Sequence, residues 1–548
     1  MKKKLIPFLF VVGFLASCNS INPTAEISIR INSLGYTPDG IKKATVFDSS
    51  AQFMVLDAQT HKTVFKGKAF GPYNQKDLEQ QALIADFTNL TQAGTYYLKS
   101  KNGAYSQHFT IGEPVYDSAY YTAMRGFYLW RCGTWVYGVH RNDTFTQNAC
   151  HHNDGWLNYT GFGNNHKDGT GGWHDAGDYG KYTVNSGITL GLLFFAWNSF
   201  ESKLKPRSLD IPNTAPEFPD FLKELKWETD WLLKMEYPDL SGRISHKLTR
   251  LNFSDFIMPD QDMEKRYFSA WGTTATAHFA AVMAQAARYF KAYDSIYAQT
   301  CLNAALRAYK CLQNYPDYIK WQQDAFSTGG YQTCDTDARI WAAAELWETT
   351  GDEQYLSDFE SRISKIGLTV DMNWDWQNVK NLGLFTYMLS TKEGKTPAIY
   401  QALSQSLLNT ADSVVWWSDH DIYGRPFDRY YWGCNGTVAR LASNLYVAYA
   451  ISGNQKYKQA NDNIIAHLFG RNYYGRSFVT GLGINPPMHP HDRRSGADSV
   501  LAPWPGYLVG GGHAATDWID EQASYSHNEI AINWQASLVF ALAFALPN

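Results

Sequence analysis

Between residues 25 and 112, apolar and polar positions alternate with the two-residue period of half-buried strands. Ile27, Ile29 and Ile31 are separated by polar partners, and the short runs ATVF, FMVL, KTVFKG, TYYLKS and QHFTIG recur between Gly, Asn and Asp turns. About seven short strands in roughly ninety residues predict an immunoglobulin-like β-sandwich over 25–112. From residue 116 the period lengthens to that of helices. Phe221, Leu225, Leu232 and Met235 fall on one helical face, and the alanine-rich stretch Thr273 to Phe290 suits close helix–helix packing. Ala338 to Thr350, Val438 to Ser452 and Tyr457 to Phe469 each run into a glycine (Gly351, Gly453, Gly470) at the expected C-cap. The last segment, Ile530 to Leu546, is apolar enough to be buried, while Asn533 and Gln535 interrupt it too often for a membrane span. The chain therefore reads as multidomain, an all-β module followed by an all-α domain over 116–548 with long Gly- and Trp-rich loops.

The start of the chain has a different character. Residues 1–17, MKKKLIPFLFVVGFLAS, combine a basic beginning with a short apolar run, the pattern of a secretory signal. Leu15-Ala16-Ser17-Cys18 resembles a bacterial lipobox, which makes Cys18 the expected lipidated first residue of the mature protein, with 18–24 as a linker. Asn19 is not the Asp that retains lipoproteins at the inner membrane. The expectation is export and an outer-membrane anchor, at the cell surface or the periplasmic face, with the membrane touched only through the lipid; a soluble secreted enzyme is the alternative.

Net charge of −4, 18% charged residues and the lack of a long basic run argue against nucleic acid as a partner. Aromatic residues reach 15%, with 19 Trp and 35 Tyr, more than a core requires; planar faces match the apolar C–H faces of sugar rings. Beyond Cys18, the few cysteines in so long a chain form no disulfide framework.

Three polar clusters carry candidate chemistry. In GGWHDAGDYGKY (171–182), Asp175 and Asp178 stand at i and i+3 on a glycine-rich loop, where two carboxylates can hold and deprotonate one water; a solvated turn is the competing reading. Tyr525-Ser526-His527-Asn528-Glu529 precedes the last apolar helix, where partial burial would keep the Glu529 carboxyl protonated; a helix-start glutamate is the alternative. The proline-stiffened loop 485–495 presents His491, Asp492 and Arg493, donors able to grip sugar hydroxyls, or else a surface turn with a salt bridge. Trp374, Trp376, Trp432 and Tyr525 lie in turn-rich loops as candidate stacking platforms, with Trp376 and Trp432 foremost. Cys132, Cys150 and His151 form a metal-like set, and His174 directly precedes Asp175.

These motifs, in this order and joined by FYLWRCG, TTATAHFAAVMAQAAR, DARIWAAAELWETTGD, YYWGCNG and NEIAINWQA, resemble glycoside hydrolase family 9 over nearly the whole mature chain. IRINSLGYTPDGIKKATV resembles the opening of the immunoglobulin-like module that precedes many bacterial catalytic domains of that family. The resemblance implies an (α/α)6 barrel and inverting hydrolysis of a β-linked glucan, foremost endo-acting on β-1,4 chains. It gives Asp178 the part of general base, Asp175 that of a helper holding the water, and Glu529 that of general acid. His491 and Arg493 match a sugar-binding His-x-Arg pair, although Asp492 stands where the family often has a second His, and Cys434 where a serine is common. The zinc-containing branch implies a structural zinc on Cys132, Cys150, His151 and His174. A Cys132–Cys150 disulfide competes with it, and His152, His166 and Asp154 rival His174 as fourth ligand. Calcium sites also occur in the family, for which Cys334-Asp335-Thr336-Asp337 is a candidate loop; no organic cofactor is implied, and a monomer is expected. Two other functions stay open: an exo-acting enzyme on short β-glucosides or amino sugars, and a surface glycan-binding lipoprotein without turnover.

Overall fold

The structure, a computed structural model, describes residues 28–547; the leader, Cys18 and Ile27 lie outside the described residues. Eight strands build the first module: β1 (Ile29–Arg30), β2 (Lys43–Val46), β3 (Gln52–Asp57), β4 (Thr63–Lys68), β5 (Phe70–Gln75), β6 (Gln80–Asp86), β7 (Gly94–Ser100) and β8 (Phe109–Ile111). They pair antiparallel in two four-stranded sheets, β1-β2-β6-β5 and β4-β3-β7-β8, closed over a core that includes Val46, Val55, Leu83, Phe87, Leu98 and Phe109. The hydrophobic alternation leaves out β5, whose residues are nearly all exposed. It is an edge strand whose pairing with β6 slips between Phe70 and Tyr73, where Pro72 has no N–H to give a ladder.

The sandwich docks on the helical domain through polar contacts around a small apolar cluster. Phe47, Ala82 and Ile84 pack against Ile422, Tyr423 and Tyr473. The Ile41 N–H donates to Asp462 at 3.1 Å, the Ser33 N–H to the Phe469 carbonyl at 3.0 Å, and Arg471 to the Thr45 hydroxyl at 3.2 Å.

Twelve helices form the second domain's ring. The inner ones are α2 (Thr183–Leu204), α4 (Thr273–Phe290), α6 (Thr336–Thr350), α8 (Lys380–Leu389), α10 (Cys434–Ser452) and α14 (Ile532–Ala545), each packed on the next, with α14 returning to α2. The outer ones are α1 (Asp117–Leu129), α3 (Asp220–Leu233), α5 (Ser295–Asn314), α7 (Glu353–Ile366), α9 (Pro397–His420) and α11 (Gln455–Leu468). This is the (α/α)6 barrel. Inner helices such as α14 are apolar almost all round because they have neighbours on every side, whereas α7 buries only Tyr355, Leu356, Phe359 and Ile363 as one stripe. Gly351 and Gly453 end α6 and α10 in the left-handed region, as the pattern predicts. At α11 the helix stops at Leu468 with Phe469 as its cap, one residue before Gly470; Met235 lies buried in the turn after α3.

Connections at one end of the ring are long and carry the remaining elements: a hairpin of β9 (Val136–His140) and β10 (Asp143–Gln147), a small sheet of β11 (Lys181–Tyr182), β12 (Lys247–Thr249) and β13 (Tyr267–Phe268), and two short helices, α12 (Arg493–Ala497) and α13 (Tyr525–Asn528). Backbone bonds draw distant segments together there. The Ile532 N–H donates to the Asp175 carbonyl at 2.9 Å, Ala176 bridges Ala531, and His491 bridges Glu529. The Arg493 N–H reaches the Gly177 carbonyl at 3.1 Å. Gly177 has to be a glycine here, since a Cβ would sit 2.0 Å from the His491 carbonyl oxygen. Gly177→Ala is therefore expected to lower the unfolding free energy by about 1–3 kcal/mol, as other forced insertions into packed regions do. Urea unfolding followed by tryptophan fluorescence checks this, and an unchanged midpoint would mean that the two loops are not tightly joined.

Candidate active site

The residues that open the inner helices line one cleft of about 780 Å³. Asp175 and Asp178 precede α2, Tyr331 precedes α6, Trp376 precedes α8, Trp432 precedes α10 and Glu529 precedes α14. Helix N-termini carry positive partial charge, which favours carboxylates placed beside them.

Asp175 is buried and both its oxygens receive a donor: Asn185 Nδ2 at 2.8 Å on Oδ1, and the Tyr331 hydroxyl at 2.6 Å on Oδ2. Burial, and next the charge of Asp178, push its carboxyl well above the ordinary range, while Tyr331 and Asn185 pull it back. Asp178 Oδ2 accepts from the Gly180 N–H at 2.9 Å and the Tyr182 hydroxyl at 3.3 Å; its Oδ1 has no donor among the described residues. A Cβ on Gly180 would press within 2.7 Å of Asp178 Oδ2, so that glycine keeps room for the carboxylate. Glu529 is raised well above the ordinary carboxylate range by burial and by the charges of Asp178 and Asp175. Arg493 and a hydrogen bond with Trp432 draw it down.

The cleft gathers the other expected residues. Trp376, Trp432, Tyr525, His491 and Arg493 all line it. Trp432 and Tyr525 meet edge to face at 5.3 Å, and both are about half exposed. His491 Nδ1 lies 2.7 Å from the Gln522 carbonyl, and burial lowers its pKa, so the ring is neutral near pH 7 with Nδ1–H donating. Arg493 has more to do than bind sugar: Nη1 donates to the Gly177 carbonyl at 2.9 Å and Nε to the Ser254 carbonyl at 3.0 Å, and Phe253 and Phe256 flank the guanidinium. Trp374 is a correction. It is 2% exposed, with its indole donating to Asn444, and so it is core.

Asp492, where the family often has a second His, turns away from the cleft. It caps α12, pairs with buried Arg494 at 3.1 Å and accepts from Ser495. Cys434 is buried, its sulfur 3.5 Å from the Gly512 carbonyl. In the 334–337 loop Asp335 pairs with Arg339 at 2.8 Å, and Asp337 accepts from the Val379 N–H through Oδ2 while its Oδ1 is buried without a partner among the described residues.

Sequence reading missed Tyr331 and Asn185, the two donors on Asp175, together with Tyr182, Phe253 and Trp534 in the site. A signal for Tyr331 existed: Gly329-Gly330-Tyr331 repeats the glycine pair that opens the 171–182 motif. Its φ of +42° is in the left-handed region, rare for a tyrosine and the kind of strain that functional sites hold.

Beside the cleft, Cys132, Cys150, His151 and His174 bring one ligand atom each to within 4.8 Å of all the others. Sγ of Cys132 and Sγ of Cys150 are 4.0 Å apart and unbonded; His151 Nδ1 is 3.5 Å from Cys132 Sγ and 3.3 Å from His174 Nε2, which is 3.9 Å from Cys150 Sγ. Four-coordinate zinc with its usual bond lengths sets edges of about 3.3 Å for N···N, 3.6 Å for S···N and 3.8 Å for S···S, which this set approaches. His151 Nε2 faces Asp262 at 3.4 Å, a typical orienting partner for a ligating imidazole. None of the three rivals joins the set: Asp154 pairs with Lys181 and Arg266, His166 bonds to the Asn153 carbonyl, and His152 is exposed.

A helical barrel with three carboxylates and exposed aromatic rings in one cleft defines a glycan-hydrolysing architecture, and comparison with known proteins gives the family. The sequence profile of glycosyl hydrolase family 9 matches residues 116–542, and that of the cellulase N-terminal ig-like domain matches 24–104. The chain belongs to glycosyl hydrolase family 9. It is 48% identical to Endoglucanase D of Acetivibrio thermocellus, over 99% of this chain and 86% of that protein. The crystal structure of a metagenome-derived glycoside hydrolase family 9 endoglucanase superposes with a TM-score of 0.86 at 32% identity, covering 95% of this chain and 99% of that one. A Zn-binding triple mutant of the family 9 endoglucanase J30 superposes with a TM-score of 0.88 at 28% identity, covering 93% and 99%.

Because the Arg493 charge holds Glu529 down, Arg493→Gln should raise the Glu529 pKa and move the alkaline limb of kcat/KM on a β-glucan to higher pH. The lost brace on Gly177 should lower the amplitude as well. Trp432→Phe should move the limb the same way. A pH–rate profile of each purified variant decides, and a limb that stays fixed or moves downward contradicts the placement of charge.

Proposed function

We propose that this protein is an inverting endo-β-1,4-glucanase. The observation that carries the reading is one open cleft holding a carboxyl whose surroundings favour its protonated form, Glu529, together with a carboxylate that has one oxygen without a donor among the described residues, Asp178. Glu529 donates its proton to the glycosidic oxygen as the C–O bond breaks. Asp178, through Oδ1, takes a proton from a water that attacks the anomeric carbon from the opposite face, and the configuration inverts. Asp175 helps to hold that water; the two donors on its oxygens are the pattern of a carboxylate, and they fix its position. Trp376, Trp432 and Tyr525 offer faces for successive sugar rings, and His491 and Arg493 flank the cleavage point.

Glu529→Ala and Asp178→Ala should each lower turnover on soluble β-1,4-glucan by at least about 100-fold, the low end for losing a general acid or base, without changing the thermal unfolding midpoint. NMR of the first product should show the α-anomer, and early products should be mixed oligomers. Near-normal turnover in either variant, or a β-anomer formed first, sinks the assignment; glucose or cellobiose alone from the start would favour the exo-acting reading.

The cysteine and histidine cluster reads as a structural zinc site. Two thiolates and two neutral imidazoles close a tetrahedron with no position for a catalytic water, so the metal's part would be to tie the 132–151 segment to His174, next to Asp175. The donor set supports this reading, and the Zn-binding triple mutant of endoglucanase J30 is a family 9 fold that takes up zinc. Elemental analysis of the purified protein should find a single zinc per chain, and its removal by a chelator during mild heating should lower the unfolding temperature. Absence of zinc together with a Cys132–Cys150 disulfide on peptide mapping overturns it.

A further inference from the structure

Residues 430–435 form a wall with two faces. Tyr431, Trp432 and Gly433 line the cleft, whereas Tyr430, Cys434 and Asn435 line a second cavity that shares no residue with it. This cavity offers about 30 Å³ to the centres of water-sized particles, room for about two. Arg425 and His467 also line it, at 3% and 6% exposure, and each has a nitrogen with no hydrogen-bond partner among the described residues, Nη1 of Arg425 and Nδ1 of His467.

The surroundings hold buried guanidinium groups without direct ion pairs. Arg30, Arg425 and Arg471 are all buried in this region, where the sandwich meets the barrel, and none forms an ion pair among the described residues. Arg471 donates to Thr45, Asn463 and the Ile422 carbonyl, and Arg425 Nη2 to the Arg429 carbonyl at 2.6 Å, all neutral acceptors. Arg30 leaves Nε and Nη1 without a partner. The carboxylates facing Arg471 are Asp421, Asp419 and Asp86; Asp419 is half exposed and pairs with Lys43, and Asp421 Oδ1 already accepts from the Tyr423 and Arg425 N–H groups at 2.7 and 3.1 Å. The tyrosines around the cavity, Tyr423, Tyr430 and Tyr474, are kept neutral by burial, and burial with Arg425 and Arg471 nearby keeps His467 neutral. A guanidinium does not escape burial by losing its proton, and water in the cavity adds no charge.

We propose that this cavity binds a small monovalent anion of the halide class, with Arg425 Nη1 as its charged donor. A bridging water would satisfy His467 Nδ1. Leu78 of the sandwich lines the same cavity, so the anion would lie at the joint between the two domains and directly behind the wall that carries Trp432.

The test uses the full chain. Thermal unfolding in sodium chloride, sodium bromide and sodium gluconate at constant ionic strength should show a saturable rise with the two halides over gluconate, of about 1–3 °C for a chain of this size. Arg425→Gln should abolish the difference. Crystals of the unaltered protein in millimolar sodium bromide should give an anomalous peak within hydrogen-bonding distance of Arg425 Nη1, a readout that stands even if the variant fails to fold. Equal unfolding temperatures in halide and gluconate, or bromide in the cavity only at molar concentration, overturn the proposal.

Discussion

Everything in the cleft depends on closing the helical ring. α2 and α14 come from opposite ends of the domain, and the bonds that join them run through the residues beside the carboxylates: Ile532 N–H to the Asp175 carbonyl, Ala176 to Ala531, and His491 to Glu529. More than three hundred residues separate Asp178 from Glu529 in the sequence. The closure turns that separation into a fixed placement, which an acid and a base acting on one bond require. Gly177 and Arg493 belong to the same joint, the glycine by leaving space for the His491 carbonyl and the arginine by donating twice to the Gly177 carbonyl.

Within this frame the electrostatics follow from burial and neighbours. Three carboxyl groups gathered at one site do not all ionise freely; Asp175 and Glu529 are both raised, and Glu529, without the two donors that hold Asp175, is the one suited to keep its proton. Asp178 keeps one oxygen free because Gly180 and Tyr182 occupy the other. The N-termini of α2, α6, α8, α10 and α14 open beside the cleft and offset part of the negative charge. Arg493 thus has three effects through one guanidinium: it braces the aspartate loop, lowers the Glu529 pKa and presents donors to the cleft.

The sandwich contributes indirectly. None of its described residues lines the cleft, yet it packs on Ile422, Tyr423 and Tyr473 and bonds to Phe469 and Asp462, and the segment beginning at Ile422 leads directly into the wall that carries Tyr431 and Trp432. A similar economy explains Asp492. It stands where the family pattern often has a second His, and its carboxylate pairs with buried Arg494 and starts α12.

Local pattern determined much of this protein. The two-residue alternation of the sandwich, the 3.6-residue period and glycine caps of the helices, and the glycine-bracketed Asp175 and Asp178 were legible because each reflects contacts between near neighbours in the chain. The motifs also placed Glu529, His491 and Arg493 as candidates. Tertiary structure alone decided the rest. It put Trp374 in the core while leaving Trp376 at the cleft, two residues of the same type in one loop that differ only in which neighbours surround them. It supplied Tyr331 and Asn185 as the donors on Asp175, gathered His174 rather than its rivals with the two cysteines and His151, and joined α2 to α14. Those outcomes depend on groups far apart in the chain, and only a closed ring of helices sets the distances between them.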